Sequence, residues 1–89
     1  MALVVGGSKS VWVEPRNHKI VGAVLAAARG RASLTQDELA GRLGKPQSFV
    51  SEYERGRRRI DILEFLLIAR TLSANPLDVF AEIMKSAAG

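Results

Sequence analysis

The chain has 89 residues, of which 47% are hydrophobic, and it carries a formal net charge of +4 and no cysteine. This length suits one small domain, and the lack of cysteine excludes disulfide bonds and thiolate metal sites. No apolar run approaches the roughly 20 residues that span a bilayer, so a cytoplasmic protein is expected.

The positive charge is concentrated in one short segment. Residues 41–59 contain six basic and two acidic residues, whereas residues 60–89 contain two basic and four acidic residues. A basic segment of this kind is the electrostatic footprint of a protein that binds nucleic acid. A solvated, arginine-rich loop is the alternative explanation for the same charge.

Residues 1–14 differ in character from the rest of the chain. The β-rich runs ALVV and SVWV are separated by GGSK, a pattern that predicts a short N-terminal β-hairpin. An isolated two-stranded hairpin is marginal in water, so this one would have to pack on the helical body or pair with a second copy. A frayed N-terminal tail is the alternative.

Residues 15–89 predict a compact all-α domain of five helices. Apolar residues at helical spacing follow a proline that suits a first helical turn, which predicts a first helix over residues 15–31. The second helix, at about residues 35–43, begins with Thr-Gln-Asp-Glu, a capping box with Thr35 as the N-cap. Gly44 suits the left-handed end of that helix.

Three further helices follow after tight connections. The third spans about residues 46–55, a long apolar helix begins near Asp61, and the segment PLDVFAEIMK after Asn75 forms a last amphipathic helix. Two short helices joined through a glycine-containing turn describe a helix-turn-helix, which is the form of the second and third predicted helices.

The residues LTQDELAGRLGKPQSFVSEYERGRRR, followed by LLIARTL, resemble the Cro/cI-like (XRE) family of helix-turn-helix DNA-binding proteins. The resemblance covers roughly residues 28–80 and implies a five-helix, lambda-repressor-like bundle that binds double-stranded DNA as a transcriptional regulator, a repressor in role. It also implies that the second helix lies across the DNA backbone while the third enters the major groove, which is wide enough for one helix.

The resemblance places candidate DNA contacts on polar residues of the second and third helices and on the loop that follows. The base-reading candidates lie in the first two turns of the third helix: Gln47, Ser48, Ser51 and Glu52. The phosphate-binding candidates lie at the start of the second helix and on either side of the third: Gln36, Lys45, Arg55, Arg57 and Arg58. A glutamine suits adenine because it can bond N6 and N7 together.

The two glutamates of the basic segment have different expected roles. Glu54 matches a family position that forms a buried ion pair with an arginine of the first helix, and the matching residue here is Arg29. Glu52 is expected to face the groove, where a carboxylate accepts a hydrogen bond from cytosine N4 and is repelled by phosphates. A surface ion pair with Arg55 or Arg42 is the alternative for Glu52.

The fourth predicted helix is more apolar than one buried face requires. Leu63 and Leu67 lie one turn apart and form a stripe beside the expected core, although the family usually has a polar residue at the second of these positions. This stripe predicts a homodimer contact, since helix-turn-helix proteins commonly bind DNA as dimers. A seat for the N-terminal hairpin is the alternative.

Two other classes of function compete with DNA binding. A protein-interaction module, such as an antitoxin or an accessory subunit, would keep the fold and engage an unidentified protein partner, and it should carry apolar residues where Gln47 and Ser48 stand. An enzyme is not expected, because the only histidine is His18 and no carboxylate pair has a base or metal partner. No metal and no cofactor are predicted.

Overall fold

The computed structural model describes residues 15–88, with the side chains of residues 18–87. Within this range the chain forms five helices and no strand: α1 (Pro15–Arg31), α2 (Gln36–Leu43), α3 (Gln47–Glu54), α4 (Ile62–Thr71) and α5 (Pro76–Ala88). The predicted all-α class is confirmed, and α3 is one residue shorter at each end than predicted. The hairpin predicted for residues 1–14 lies outside the described residues.

Two helices begin with a capping box. At α2, the Thr35 hydroxyl accepts a hydrogen bond from the Glu38 N–H at 3.0 Å, and the Glu38 carboxylate accepts one from the Thr35 N–H at 2.8 Å. At α4, the Asp61 carboxylate accepts a hydrogen bond from the Glu64 N–H at 2.7 Å, and the Glu64 carboxylate accepts one from the Asp61 N–H at 3.0 Å. Each box satisfies two N–H groups that a helix start leaves without partners, so both starts are set by local sequence.

The first four helices share one way of ending. Two N–H groups beyond each helix donate back to its last carbonyls, as when the N–H of Lys45 bonds the Ala40 carbonyl at 3.0 Å. The pattern needs one residue with a positive φ, and the four that supply it are Ser33, Gly44, Gly56 and Ser73. Because each chain reversal takes only a few residues, the helices are joined by short connections.

The core is formed by the inward faces of all five helices. Helix α3 contributes Val50 and Tyr53, which lie three residues apart and therefore on one face. The other buried apolar residues are Val24, Leu25, Ala28, Leu39, Ala40, Phe65, Ile68, Ala69, Leu72 and Val79. Since α3 packs against α1 and α2, its remaining face is left toward solvent.

Helix α1 and the end of α3 approach each other at two glycines. A Cβ atom at Gly22 would overlap the carbonyl oxygen of Tyr53 and lie 2.6 Å from that of Glu54. A Cβ atom at Gly56 would lie 2.7 Å from the Cα atom of Lys19. Both separations are below those that side chains tolerate, so the backbone of α3 rests directly on α1.

We expect Gly22→Ala to lower the free energy of unfolding by about 1–3 kcal/mol or more, because the added methyl group meets backbone atoms that cannot turn away. Gly30→Ala is the matched control on the same helix, since a Cβ atom there has nothing within 4 Å. That change should be neutral or stabilising by up to about 1 kcal/mol. Chemical denaturation followed by circular dichroism measures both, and equal effects of the two variants would contradict the close approach.

Candidate nucleic-acid interface

The four base-reading candidates lie on the outer face of α3. Gln47 and Ser48 are exposed, and Ser51 and Glu52 are half-buried, while the core side of the helix carries Val50 and Tyr53. Successive residues of a helix are turned by about 100°, so these four positions share one side of two turns. The result is a short, polar strip with no large apolar side chain.

Glu52 has no partner of opposite charge in the part of the chain that the structure describes. The ion pairs there are Arg29–Glu54, Arg31–Glu82 and Arg58–Glu64. Neither Arg42 nor Arg55 therefore pairs with Glu52, and its carboxylate stands on the outer strip of α3 with no counter-charge.

Arg29 and Glu54 are joined by a two-pronged ion pair. Arg29 Nε donates to Glu54 Oε2 at 2.8 Å and Arg29 Nη2 donates to Glu54 Oε1 at 3.0 Å, while Nη1 bonds the carbonyl of Leu34 at 2.9 Å. The side chains keep 20% and 6% of their accessible surface, respectively. The bond to Glu54 raises the pKa of Arg29 above its ordinary value. One arginine thus ties α1 to the end of α3 and to the connection before α2.

Two glutamines extend this ion pair to the start of α3. Gln36 Nε2 donates to Glu54 Oε1 at 2.8 Å, and Gln47 Nε2 donates to Gln36 Oε1 at 2.6 Å. The result is a continuous chain of hydrogen bonds, Arg29–Glu54–Gln36–Gln47, which we call the polar relay. The sequence predicts all four residues at the site but does not predict the bonds that Gln36 makes. The available signal was a glutamine at the first position of both helices of the motif.

Tyr53 lies beneath the relay and is almost completely buried. Its hydroxyl group has no hydrogen-bond partner among the described residues. Burial, followed by the neighbouring Glu54 carboxylate, raises the pKa of the Tyr53 phenol well above its usual value. Tyr53 therefore remains uncharged and acts as a packing residue, with the Phe49 ring set edge-on against it at 5.4 Å.

The basic residues predicted to bind phosphate fall into two groups. Arg58 is partly exposed but bonded within the protein: Nη1 and Nη2 donate to the Glu64 carboxylate at 3.1 and 3.0 Å, and the guanidinium carbon lies 4.6 Å from the centre of the Phe49 ring. Lys45 is exposed, and its ammonium nitrogen lies 5.4 Å from the centre of the same Phe49 ring. Arg55 and Arg57 are exposed beyond the end of α3.

Sites of other kinds are lacking in the described part of the chain. No group of three or more His, Cys, Asp or Glu side chains there could hold a metal ion. None of the described helices is both long and apolar enough to cross a membrane.

Two short helices joined by a tight turn, the second with a polar outer face and cations at its ends, define a helix-turn-helix domain of the kind that binds DNA. A family model described as helix-turn-helix matches residues 25–80. The chain belongs to this family of XRE-type proteins, as its sequence predicts, and is a transcriptional regulator with a helix-turn-helix DNA-binding domain.

Known proteins of similar sequence and structure support this assignment. The chain is 33% identical over 61 residues to an uncharacterized HTH-type transcriptional regulator, y4dJ, of Sinorhizobium fredii, a match that covers 68% of this chain and 79% of the relative. The clp gene regulator ClgR of Corynebacterium glutamicum aligns with a TM-score of 0.75 and 30% identity over 82% of this chain and 95% of its own. An XRE-family like protein of Pseudomonas syringae pv. tomato aligns with a TM-score of 0.70 and 37% identity over 80% of this chain and 87% of its own.

The contact between Arg58 and Glu64 predicts a pH dependence of stability. The hydrogen bonds from Arg58, followed by that from the Asp61 N–H, lower the pKa of the Glu64 carboxyl group. A carboxyl group whose pKa is lower in the folded state contributes stability above its unfolded pKa of about 4.3 and loses it as the pH falls through the folded value. Glu64→Gln should therefore be less stable than the wild type at pH 7, and the difference should shrink below about pH 4.

Urea denaturation of both proteins between pH 7 and pH 3 measures this difference. Glu82→Gln is the control for loss of a surface carboxylate, because it removes only the exposed partner of Arg31, and it should change stability little. A difference between wild type and Glu64→Gln that stays constant over the whole range would show that the ion pair contributes nothing.

Proposed function

We propose that this protein binds specific sequences of double-stranded DNA by placing α3 in the major groove, and that it represses transcription by occupying its site. The observation that carries the proposal is the outer face of α3, which is polar along its length and has exposed cations at both ends, Lys45 before it and Arg55 and Arg57 after it. Occupancy alone can block access to a promoter, so repression needs no further surface.

The base contacts are assigned to the outer strip of α3. Gln47 stands at the first position of the helix with its side chain exposed, where a glutamine can bond N6 and N7 of adenine. Ser48 and Ser51 carry hydroxyl groups, which can both donate and accept and so adapt to any base pair. These residues supply hydrogen bonds to base edges, from which sequence preference arises.

Glu52 is proposed to select against most sequences. No ion pair among the described residues includes Glu52, so its carboxylate is available to face the groove. There it can accept a hydrogen bond from cytosine N4, while any register that brings it near a phosphate is disfavoured.

The phosphate contacts are assigned to the exposed residues around α3. Lys45, Arg55 and Arg57 supply charge, and Gln36 keeps one amide hydrogen beyond the bond that it makes to Glu54. Arg58 is also a phosphate candidate. Because its guanidinium group is already bonded to Glu64, it can bond a phosphate only through N–H groups that Glu64 does not use.

The main alternative is a protein-interaction module. The outer face of α3 disfavours it, because such a face should carry apolar side chains. The exposed apolar side chains lie on α4 and α5 instead, where Leu63 and Leu67 keep 72% and 50% of their accessible surface.

We also infer that this apolar stripe on α4 seats a second copy of the chain. Leu63 and Leu67 lie one turn apart on the side of α4 opposite Phe65 and Ile68, which are buried. A two-fold dimer would present two copies of α3 to successive turns of the major groove. Binding to DNA also implies a location in the compartment that holds the DNA, which is the cytoplasm for a bacterial regulator.

In-vitro selection from random duplex DNA tests the DNA-binding proposal. The wild-type chain should enrich one sequence, and its affinity for that sequence should fall steeply with salt because bound phosphates release counterions. Arg55→Gln and Arg57→Gln should each reduce the slope of log affinity against log salt by about one. Arg70→Gln is the matched control, an exposed arginine on α4 that should leave the slope unchanged.

No enrichment of any sequence by the wild type would exclude sequence-specific binding and favour the protein-interaction module. Equal slopes for the wild type, Arg55→Gln and Arg57→Gln would remove the loop after α3 from the DNA contact.

Analytical ultracentrifugation tests the dimer. The wild type should sediment as a dimer at micromolar concentration, and the double variant Leu63→Glu/Leu67→Glu should sediment as a monomer because each glutamate would bury a charge in the contact. Leu77→Glu is the control, an equally exposed leucine at the start of α5. A monomeric wild type, or a dimer that only Leu77→Glu disrupts, would exclude the α4 contact.

A further inference from the structure

We propose that Glu54 is a positioning residue for base recognition: acting through Gln36, it sets the orientation of the Gln47 amide and so selects adenine over guanine. The proposal rests on the proposed function, in which Gln47 reads a base, and it extends the role of Glu54 beyond that of a partner for Arg29. The polar relay supplies the connection, since it runs unbroken from the half-buried ion pair to the exposed first residue of α3.

The direction of the relay follows from the chemistry of its members. An ionised carboxylate has no hydrogen to donate, so whichever group of Gln36 faces Glu54 must be the amide NH₂. The amide oxygen of Gln36 therefore points toward Gln47, and the distance from Gln36 Oε1 to Gln47 Nε2 is 2.6 Å. An oxygen can only accept, so Gln47 must in turn present its own NH₂ to Gln36. Glu54, whose two oxygens both accept hydrogen bonds, thereby determines the orientation of two amides in sequence.

The surroundings of Glu54 favour a side chain that only accepts hydrogen bonds. Its side chain keeps 6% of its accessible surface, and Arg29 bonds both of its oxygens. Water therefore has little access to the carboxylate, and its oxygens are engaged as acceptors by Arg29 and Gln36. Serine hydroxyls could not act in the same way, because a hydroxyl group rotates to donate or accept as required.

The orientation of Gln47 decides which base edge it fits. Gln36 uses one of the two amide hydrogens of Gln47, and in the proposed complex Gln47 presents the other hydrogen and its oxygen side by side to the base. Adenine presents the complementary pair in the major groove, with N7 as acceptor and the N6 amino group as donor. Guanine presents two acceptors, N7 and O6, so the oxygen of Gln47 would face another oxygen. A Gln47 amide free to turn over would lose this discrimination.

Three variants of the 89-residue chain separate the positioning role from a structural one. Glu54→Gln places an amide beside Arg29 and Gln36, and because an amide can donate as well as accept, the orientation of Gln36 is no longer imposed. Gln36→Met keeps the Arg29–Glu54 ion pair and removes the link to Gln47. Arg29→Lys is the matched control: it weakens the ion pair but leaves a carboxylate that can only accept, so the relay keeps its direction.

The measurement is the ratio of affinities for two duplexes at one salt concentration. Selection with the wild type and with Gln47→Ala identifies the base pair whose preference depends on Gln47, and the duplexes carry A·T or G·C at that position. The wild type should prefer adenine by about tenfold or more, as a good two-bond contact does. Glu54→Gln and Gln36→Met should each lose most of that preference, and Arg29→Lys should keep it within about twofold despite its lower stability.

A second readout needs no DNA and covers the case in which Glu54→Gln does not fold. In the free protein, nuclear magnetic resonance of the side-chain NH₂ groups should show a slowly exchanging, hydrogen-bonded Gln47 proton in the wild type and in Arg29→Lys, and its loss in Gln36→Met.

An adenine preference unchanged in Glu54→Gln and Gln36→Met would overturn the proposal while leaving DNA binding intact. An equal loss of preference in Arg29→Lys would overturn it in favour of a purely structural ion pair. Failure of the wild type to enrich any sequence would overturn the proposed function itself, and base selection by Glu54 with it.

Discussion

The carboxylate of Glu54 is the contact on which the arrangement of the first three helices depends. It stands at the end of α3, receives Arg29 from α1 and Gln36 from α2, and through Arg29 is linked to the carbonyl of Leu34. Removing one member of such a pair leaves the other charge without compensation at a cost of about 3–5 kcal/mol in a fully buried site. The helix-turn-helix is therefore completed by α1, which lies outside the motif itself.

Directional bonds are needed here because apolar burial alone would leave α3 free to rotate. The helix has eight residues and places Val50 and Tyr53 in the core, and hydrophobic contact is not directional. Two features remove the remaining freedom. The bonds of Glu54 hold one side of the helix, and the contact of its last carbonyls with Gly22 allows no side chain between the two backbones. The outer strip of α3 is thus presented at one angle.

Local features of the fold were predictable from the sequence, and contacts between distant residues were not. The capping box at Thr35 and the left-handed Gly44 each depend on a few neighbouring residues, so their signals are complete in the sequence. Ser33 and Ser73 adopt the same backbone conformation with no glycine to mark them. The pairing of Arg29 with Glu54 was expected from the family resemblance alone, and the close approach at Gly22 had no local signal, because its cause lies about thirty residues away in α3.

The charges of the basic segment show why the relay matters for a protein of this size. Of its six basic residues, Arg58 is already bonded to Glu64. In the proposed complex, Glu52 is repelled by phosphate. Each phosphate contact made by the other cations contributes to affinity for every sequence alike. In the proposed complex, discrimination must then come from a small number of base contacts whose donors and acceptors are held in place beforehand. In that proposal, a chain of bonds that begins at the largely buried carboxylate of Glu54 provides such rigidity, and the same residue both stabilises the fold and limits which bases the protein accepts.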